Sequence, residues 1–115
     1  MERDSVETVT TIELKAMVDD DADFVMINVL GIAEYEAAHI PGSYNIPFDD
    51  PDFAGTVQEL VGSEMRTVIV YDAGPESETS ALAAQELENA GFCDVSDFEG
   101  GLLEWQSLGY AVESG

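Results

Sequence analysis

The segment Thr67-Val-Ile-Val-Tyr-Asp72-Ala-Gly-Pro-Glu-Ser77-Glu-Thr-Ser80 decides the expected fold. Its apolar start predicts a buried strand over 67–71, followed by a polar loop and an alanine-rich helix over 80–90. Junctions of this kind commonly hold an anion or nucleophile site in α/β proteins. The loop contains no Cys, Lys, Arg or His. The sequence therefore predicts the backbone of a catalytic site without its reactive side chain.

Strands and helices are predicted to alternate on both sides of this segment. The predicted strands are 24–29, 44–46, 67–71 and 94–98. The capping-box pattern Thr10-Thr-Ile-Glu13 predicts a short first helix with Ile12 and Leu14 on its apolar stripe. Further helices are predicted over 33–38, 53–61, 80–90 and 102–108, and Leu82 is expected on the apolar side of the helix over 80–90. Short alternation favours a parallel or mostly parallel sheet with helices on both faces. We expect one domain over 1–115.

Acidic residues dominate the charge of the chain. Asp and Glu number 25 against 3 Lys and Arg, for a net charge of −22. The carboxylates are spread over all segments, which is typical of proteins that work in molar salt, as in haloarchaea; an acidic mesophilic protein is the alternative. Nucleic acids and membranes are not expected partners, because phosphate contacts require Lys and Arg.

The remaining composition indicates a folded protein without special covalent or metal chemistry. Hydrophobic residues make up 45% of the chain, and a single Cys excludes an internal disulfide or a multi-thiolate metal site. No apolar run is long enough for a membrane span, and the first residues lack a signal-peptide pattern. We expect a cytoplasmic protein with no cofactor.

Three motifs in order resemble those of one known family. The stretch Glu34-Tyr-Glu-Ala-Ala-His39-Ile-Pro-Gly-Ser-Tyr-Asn45-Ile-Pro47 is similar to the signature EYxxGHIPGAxNIP, and 68–87 resembles the family's active-site segment. The closing pattern of the family is matched by Gly91-Phe92, Val95, Gly100-Gly101, Trp105 and Gly109-Tyr110. The chain thus resembles the rhodanese-like domains, whose active members are sulfurtransferases, over nearly its whole length.

The resemblance implies a three-layer α/β/α domain with a mostly parallel five-stranded sheet. In active members a Cys directly after the central strand accepts a sulfane sulfur as a persulfide, and the N–H groups of the following loop face that sulfur. A basic side chain in the loop often binds an anionic donor such as thiosulfate.

The chain departs from this pattern where the chemistry would occur. Asp72 stands at the Cys position, as in the non-catalytic domains of tandem rhodaneses, and Ser77 stands where some relatives with a longer loop have a second Cys. Asn28-Val29-Leu30 replaces the family's usual Asp-Val-Arg. No catalytic residue is therefore expected. The resemblance instead implies a binding loop formed by Asp72, Ala73, Gly74, Pro75, Glu76, Ser77, Glu78, Thr79 and Ser80.

Each residue singled out also has a structural interpretation. We expect Asp72 to close the loop by accepting backbone N–H bonds, and Ser77 to be a loop or helix-capping hydroxyl. His39 is expected in a structural turn, and Cys93 as a small buried packing residue. The carboxylates Asp49, Asp50 and Asp52 lack the spacing of a Ca²⁺ loop and indicate solvated surface, so no metal is expected.

The sequence supports two functional hypotheses. The first is a monomeric, non-catalytic binding or regulatory module linked to sulfur or redox metabolism, with an unknown protein partner or small molecule. The alternative is a thiosulfate or persulfide sulfurtransferase that uses Cys93 or otherwise retains weak activity. A sulfur atom at the centre of the loop would favour the enzyme, and one packed beneath a helix would favour the binding module.

Overall fold

Five strands and five helices alternate along residues 6–115, the part of the chain that the computed structural model describes. The strands are β1 Glu7–Thr8, β2 Val25–Asn28, β3 Tyr44–Asn45, β4 Val68–Tyr71 and β5 Val95–Phe98. The helices are α1 Thr11–Asp19, α2 Ile32–Ala37, α3 Phe53–Val61, α4 Thr79–Asn89 and α5 Gly101–Ser107. Within this range no helix is both long and apolar enough to cross a lipid bilayer.

Local sequence signals explain several helix ends. The predicted capping box is present: the Thr10 hydroxyl accepts from the Glu13 N–H at 3.1 Å, and the Glu13 carboxylate accepts from the Thr10 N–H at 2.9 Å. Helices α3 and α4 are followed by Gly62 and Gly91 at φ 85° and 109°, a left-handed conformation that glycine adopts without strain.

All five strands are paired in parallel, in the order β1-β5-β4-β2-β3. The predicted five-stranded α/β fold is confirmed. The edge strand β1 was not predicted, because its two residues are exposed and carry no apolar pattern. Since β2, β4 and β5 run in the same direction, the segments that follow them emerge along one edge of the sheet, the one formed by the carboxyl ends of the strands. The candidate loop follows β4 at this edge.

Each face of the sheet is covered by a pair of helices. On one face, Val68 and Val70 of β4 belong to a core with residues of α3 and α4, including Val57 and Leu87. On the other face, Ile69 and Tyr71 belong to a core with Leu14 of α1 and Trp105 of α5. Successive side chains of β4 thus enter opposite cores, which explains why this strand reads as an uninterrupted apolar run.

Some apolar residues predicted for helix packing face solvent instead. Ile12 is 73% exposed and Leu82 is 51% exposed. In α4 the buried stripe is Ser80, Ala83, Ala84 and Leu87, so Leu82 lies to one side of it. Those two predictions were wrong because short amphipathic patterns admit more than one buried face.

Candidate functional site

The Asp72 carboxylate is buried at the end of β4 and binds the backbone of its own loop. The residue is 0% exposed. Its Oδ2 accepts from the Ser80 N–H at 2.8 Å, and its Oδ1 accepts a longer bond of 3.3 Å from the Gly74 N–H. The first bond satisfies an N–H group in the first turn of α4, where the N-cap residue Glu78 makes no side-chain cap. Asp72 closes the loop as predicted.

The start of α5 holds the same loop from the other side. The Leu102 N–H donates to the Asp72 carbonyl at 3.0 Å, and the Leu103 N–H donates to the Ala73 carbonyl at 2.8 Å. Gly101 makes this approach possible, because it has φ 64° and a Cβ there would lie 2.7 Å from both the Asp72 carbonyl oxygen and the Gly74 nitrogen. Glycine is therefore required at position 101 for α5 to approach the loop.

The outer part of the loop is acidic and lines an apolar groove. Pro75, Glu76 and Glu78 are exposed, whereas Ser77 is half-buried. The Ser77 hydroxyl accepts from the Thr79 N–H at 3.4 Å, so it supports the turn before α4 without being the N-cap residue. The groove has a volume of about 580 Å³ and is lined by Ala73, Gly74, Pro75, Glu76, Ser77 and Leu103.

A second groove lies on the α2 side of the loop, and within the described part of the chain no Lys or Arg lines either groove. It has a volume of about 460 Å³ and is lined by Val29, Leu30, Gly31, Glu34, Pro47, Phe48, Asp49 and Thr79. Leu30, at the position where the family has Arg, is part of this lining. Elsewhere in the described chain, Lys15 pairs with Asp19 at 2.7 Å and Arg66 pairs with Asp23 at 3.0 Å. Neither Lys15 nor Arg66 lines either groove.

A buried hydrogen-bond network supports the strand beneath the loop. The Tyr71 hydroxyl accepts from Asn28 Nδ2 and from the Ile40 N–H, both at 3.0 Å. The Ser43 hydroxyl donates to the Ile40 carbonyl at 2.7 Å, so the Tyr71 hydroxyl donates to Ser43 Oγ at 2.9 Å. Asn28 can donate here, which an ionised Asp cannot. The Asn at position 28, where the family usually has Asp, therefore fits this network.

Asp97 is a buried carboxylate near the site that the sequence analysis did not single out. It lies in β5 and is 2% exposed. Burial raises the pKa of Asp97 to about 6, although the Ser80 hydroxyl lowers it, and the charges of Asp72 and Glu99 raise it further. The sequence signal for Asp97 is its position in a short strand between the apolar residues Val95 and Phe98, because Asp is rare in strands.

His39 has the structural role predicted for it. Its Nδ1 lies 2.8 Å from the Tyr35 carbonyl oxygen, and its ring stacks on the Tyr35 ring at 3.8 Å. Its backbone N–H donates to the Glu113 carbonyl at 2.8 Å, which holds the C-terminal tail. These contacts give His39 a role in packing.

Cys93 is neither in the loop nor buried. The prediction of a packed thiol was wrong: Cys93 is exposed, with its Sγ 3.3 Å from the Glu64 carbonyl oxygen and 3.7 Å from Met65 Sδ. It precedes β5, whereas Asp72 follows β4, and the two strands are parallel. The thiol and the loop therefore lie at opposite edges of the sheet.

Of the carboxylates around Pro51, Asp50 binds its own segment, and Asp49 and Asp52 are exposed. Asp50 accepts from the Asp52 N–H at 2.8 Å and from the Thr56 hydroxyl at 2.9 Å. Among residues 6–115, no group of three or more His, Cys, Asp or Glu side chains is arranged to hold a metal ion.

Comparisons with known proteins match the chain over most of its length. The model of the rhodanese-like domain matches residues 10–108. A putative sulfur carrier protein from Bacillus subtilis is 28% identical over 88% of this chain and 51% of its own. An HTH-type transcriptional regulator from Mycobacterium tuberculosis is 31% identical over 81% of this chain and 39% of its own.

Solved structures agree with these sequence matches. A thiosulfate sulfurtransferase from Pseudomonas aeruginosa superposes with a TM-score of 0.85 at 28% identity, over 96% of this chain and 20% of its own. The rhodanese-like domain of an Anabaena protein superposes with a TM-score of 0.82 at 27% identity, over 100% of this chain and 81% of its own. The chain spans about half or less of the length of the curated relatives named above. With the family model, the motifs and the all-parallel α/β/α fold in agreement, the chain belongs to the rhodanese-like domain family.

Proposed function

We propose that this rhodanese-like domain is a non-catalytic binding or regulatory module of sulfur or redox metabolism in the cytoplasm, and that it acts as a monomer through the groove beside the Asp72 loop. The contact of the Asp72 carboxylate with the N–H groups of Gly74 and Ser80 carries this proposal. In active members these loop amides face the sulfur of the catalytic Cys. Here a carboxylate of the chain itself accepts from two N–H groups of the loop segment.

The chemistry of sulfur transfer explains why Asp in place of the catalytic Cys matters. A thiolate attacks the outer sulfur of thiosulfate, forms an S–S bond and releases sulfite. The carboxylate of Asp72 offers an oxygen that cannot form a persulfide, and the Ser77 hydroxyl cannot form one either. With Glu76 and Glu78 beside them, the loop also repels an incoming dianion. We infer that the loop neither binds the donor nor accepts its sulfur.

The groove beside the loop has the composition of a contact surface. Leu103 is 62% exposed at its wall, next to Pro75 and the backbone of Gly74. An exposed apolar side chain in a concave, acid-rimmed surface suits a partner with an apolar group and a basic rim. Relatives that are named as a sulfur carrier and as a transcriptional regulator support a role in which the domain contacts another macromolecule.

The exposure of Cys93 favours a second candidate function, a persulfide carrier at the opposite edge of the sheet. Its sulfur is accessible, but no cation adjoins it among the contacts of the described residues, and the neighbouring Glu64 and Asp94 are acidic. A thiocyanate-forming assay of wild type against Cys93→Ser separates this candidate from the binding module.

Matched variants on α5 test the binding module. We expect a partner captured by the wild-type protein in its native salt to be lost with Leu103→Ser and retained with Leu108→Ser. Leu108 is 50% exposed just after the same helix but does not line the groove. Equal capture by both variants would contradict a binding role for this groove.

A further inference from the structure

A cavity distinct from the two grooves beside the loop lies between β1, β5 and α4. Its volume is about 270 Å³, and it is lined by Val6, Thr8, Ala81, Gln85, Asp97 and Glu99. Asp97 is 2% exposed on its inner wall, whereas Glu99 is exposed at its rim. The cavity therefore presents one buried and one solvent-facing carboxylate.

The buried carboxylate has hydrogen-bonding capacity that the described chain does not use. Asp97 Oδ1 is fully buried and has no hydrogen-bond partner within residues 6–115. Buried polar atoms are nearly always paired, and leaving a carboxylate oxygen unpaired is costly. A ligand held in the cavity that Asp97 lines would offset part of that cost by stabilising the ionised carboxylate.

The surroundings of Asp97 show what charge such a ligand must have. Asp72 approaches from the end of β4 and Glu99 from the end of β5, while α4 contributes the uncharged Ser80 and Gln85. Burial and these charges together keep the pKa of Asp97 at about 6. The two basic residues among 6–115 do not line this cavity, since Lys15 pairs with Asp19 and Arg66 pairs with Asp23.

We propose that this cavity binds an alkylammonium group, supplied by a lysine side chain of a partner protein or by a small free amine, with its nitrogen against Asp97 and Glu99. An ammonium group has three N–H donors, which suits the acceptors Asp97, Glu99 and the Thr8 hydroxyl. The alkyl stem fits the apolar wall formed by Val6 and Ala81. This site is independent of the groove at Leu103.

Backbone amide shifts in the isotope-labelled full chain test the site directly. At constant ionic strength, n-butylammonium should produce saturable shifts at Val6, Thr8, Ala81 and Gln85. Tetramethylammonium has the same charge but no N–H donor, so it should not produce them. We expect binding to weaken by about tenfold or more in Asp97→Asn, and to be unchanged in Glu59→Gln, an exposed acidic residue of α3.

The ionisation of Asp97 in the wild-type chain provides a test that does not depend on a variant. Saturating n-butylammonium should lower the apparent pKa of Asp97 by more than about half a unit, and binding should tighten as pH rises through 6. Tighter binding of a blocked lysine amide than of n-butylammonium would identify a protein side chain as the source, and the reverse order a free amine. Equal shifts with both ammonium ions, or an unchanged pKa of Asp97, would overturn the proposal.

Discussion

Asp97 makes the stability of the protein depend on pH in a defined direction. Its pKa is raised from 3.8 to about 6, chiefly by burial, so the folded state holds its proton more tightly than the unfolded state does. This contribution favours folding below pH 4 and is lost as pH rises to about 6. A shift of this size corresponds to about 3 kcal/mol at most.

Asp97→Asn should therefore stabilise the protein above pH 6, by about 1–3 kcal/mol, and change it little below pH 4. Urea unfolding of wild type and variant across pH 4 to 8 measures the difference. The exposed Asp49→Asn serves as the control for the loss of one charge, and should change the free energy of unfolding much less than Asp97→Asn does above pH 6. A difference between Asp97→Asn and wild type that is independent of pH would contradict the assignment.

Tyr71 should matter for stability through its hydroxyl. Tyr71→Phe leaves the Asn28 amide and the Ile40 N–H without their acceptor in a buried place, which should cost about 1–3 kcal/mol. Tyr44→Phe removes a hydroxyl from a residue that is 52% exposed, and should change the free energy of unfolding by less than about 0.5 kcal/mol. Equal effects of the two variants in urea unfolding would show that the network contributes nothing.

At the scale of elements, the junction of α5 with the Asp72 loop is the contact most sensitive to a single atom. Gly101→Ala would place a Cβ 2.7 Å from backbone atoms of Asp72 and Gly74. Gly109 also has a positive φ, 81°, but nothing lies within 4 Å of its Cβ position. Both alanines carry the conformational penalty, and only the first also clashes.

We expect Gly101→Ala to destabilise the protein by about 1–3 kcal/mol more than Gly109→Ala does, and to shift the amide resonances of Gly74 and Ser80. Thermal unfolding and backbone amide spectra of both variants measure this. Equal melting temperatures, with the loop resonances unchanged in Gly101→Ala, would show that the helix does not position the loop.

The elements that the sequence predicts well are those with a strong local signal. The apolar runs of β2 and β4 and the glycines after α3 and α4 carry their structure in a few adjacent residues. The position of the loop was also predictable, because a polar segment directly after a buried strand must leave the core at the end of that strand. Its closure by Asp72 followed from the known preference of Asp for backbone N–H groups.

The features that the sequence could not predict depend on distant residues. Strand β1 exists because β5 offers an unpaired edge, and nothing in Glu7-Thr8 indicates this. Cys93 is exposed because the turn after α4 faces solvent, whereas its residue type is usually buried. Asp97 is enclosed by α4 and β1, which are distant from it in the sequence.

At the scale of the whole molecule, charge repulsion should control stability. With 25 carboxylates against 3 basic residues, salt should stabilise the folded state by screening. We expect the melting temperature, followed by circular dichroism, to fall steadily as potassium chloride is reduced from molar to millimolar concentration. A melting temperature independent of salt would contradict adaptation to molar salt.

The absence of sulfur transfer is the central claim about this domain, and one assay tests it most directly. Thiosulfate:cyanide sulfurtransferase activity is measured in molar salt for wild type and Cys93→Ser, with an active rhodanese-like domain as the positive control. Asp72→Cys and Ser77→Cys should reach weak activity at most, because no basic residue among 6–115 lines the grooves beside the loop. We predict that wild type forms no thiocyanate above Cys93→Ser. Robust thiocyanate formation by wild type that disappears in Cys93→Ser would contradict the claim and identify the protein as an enzyme.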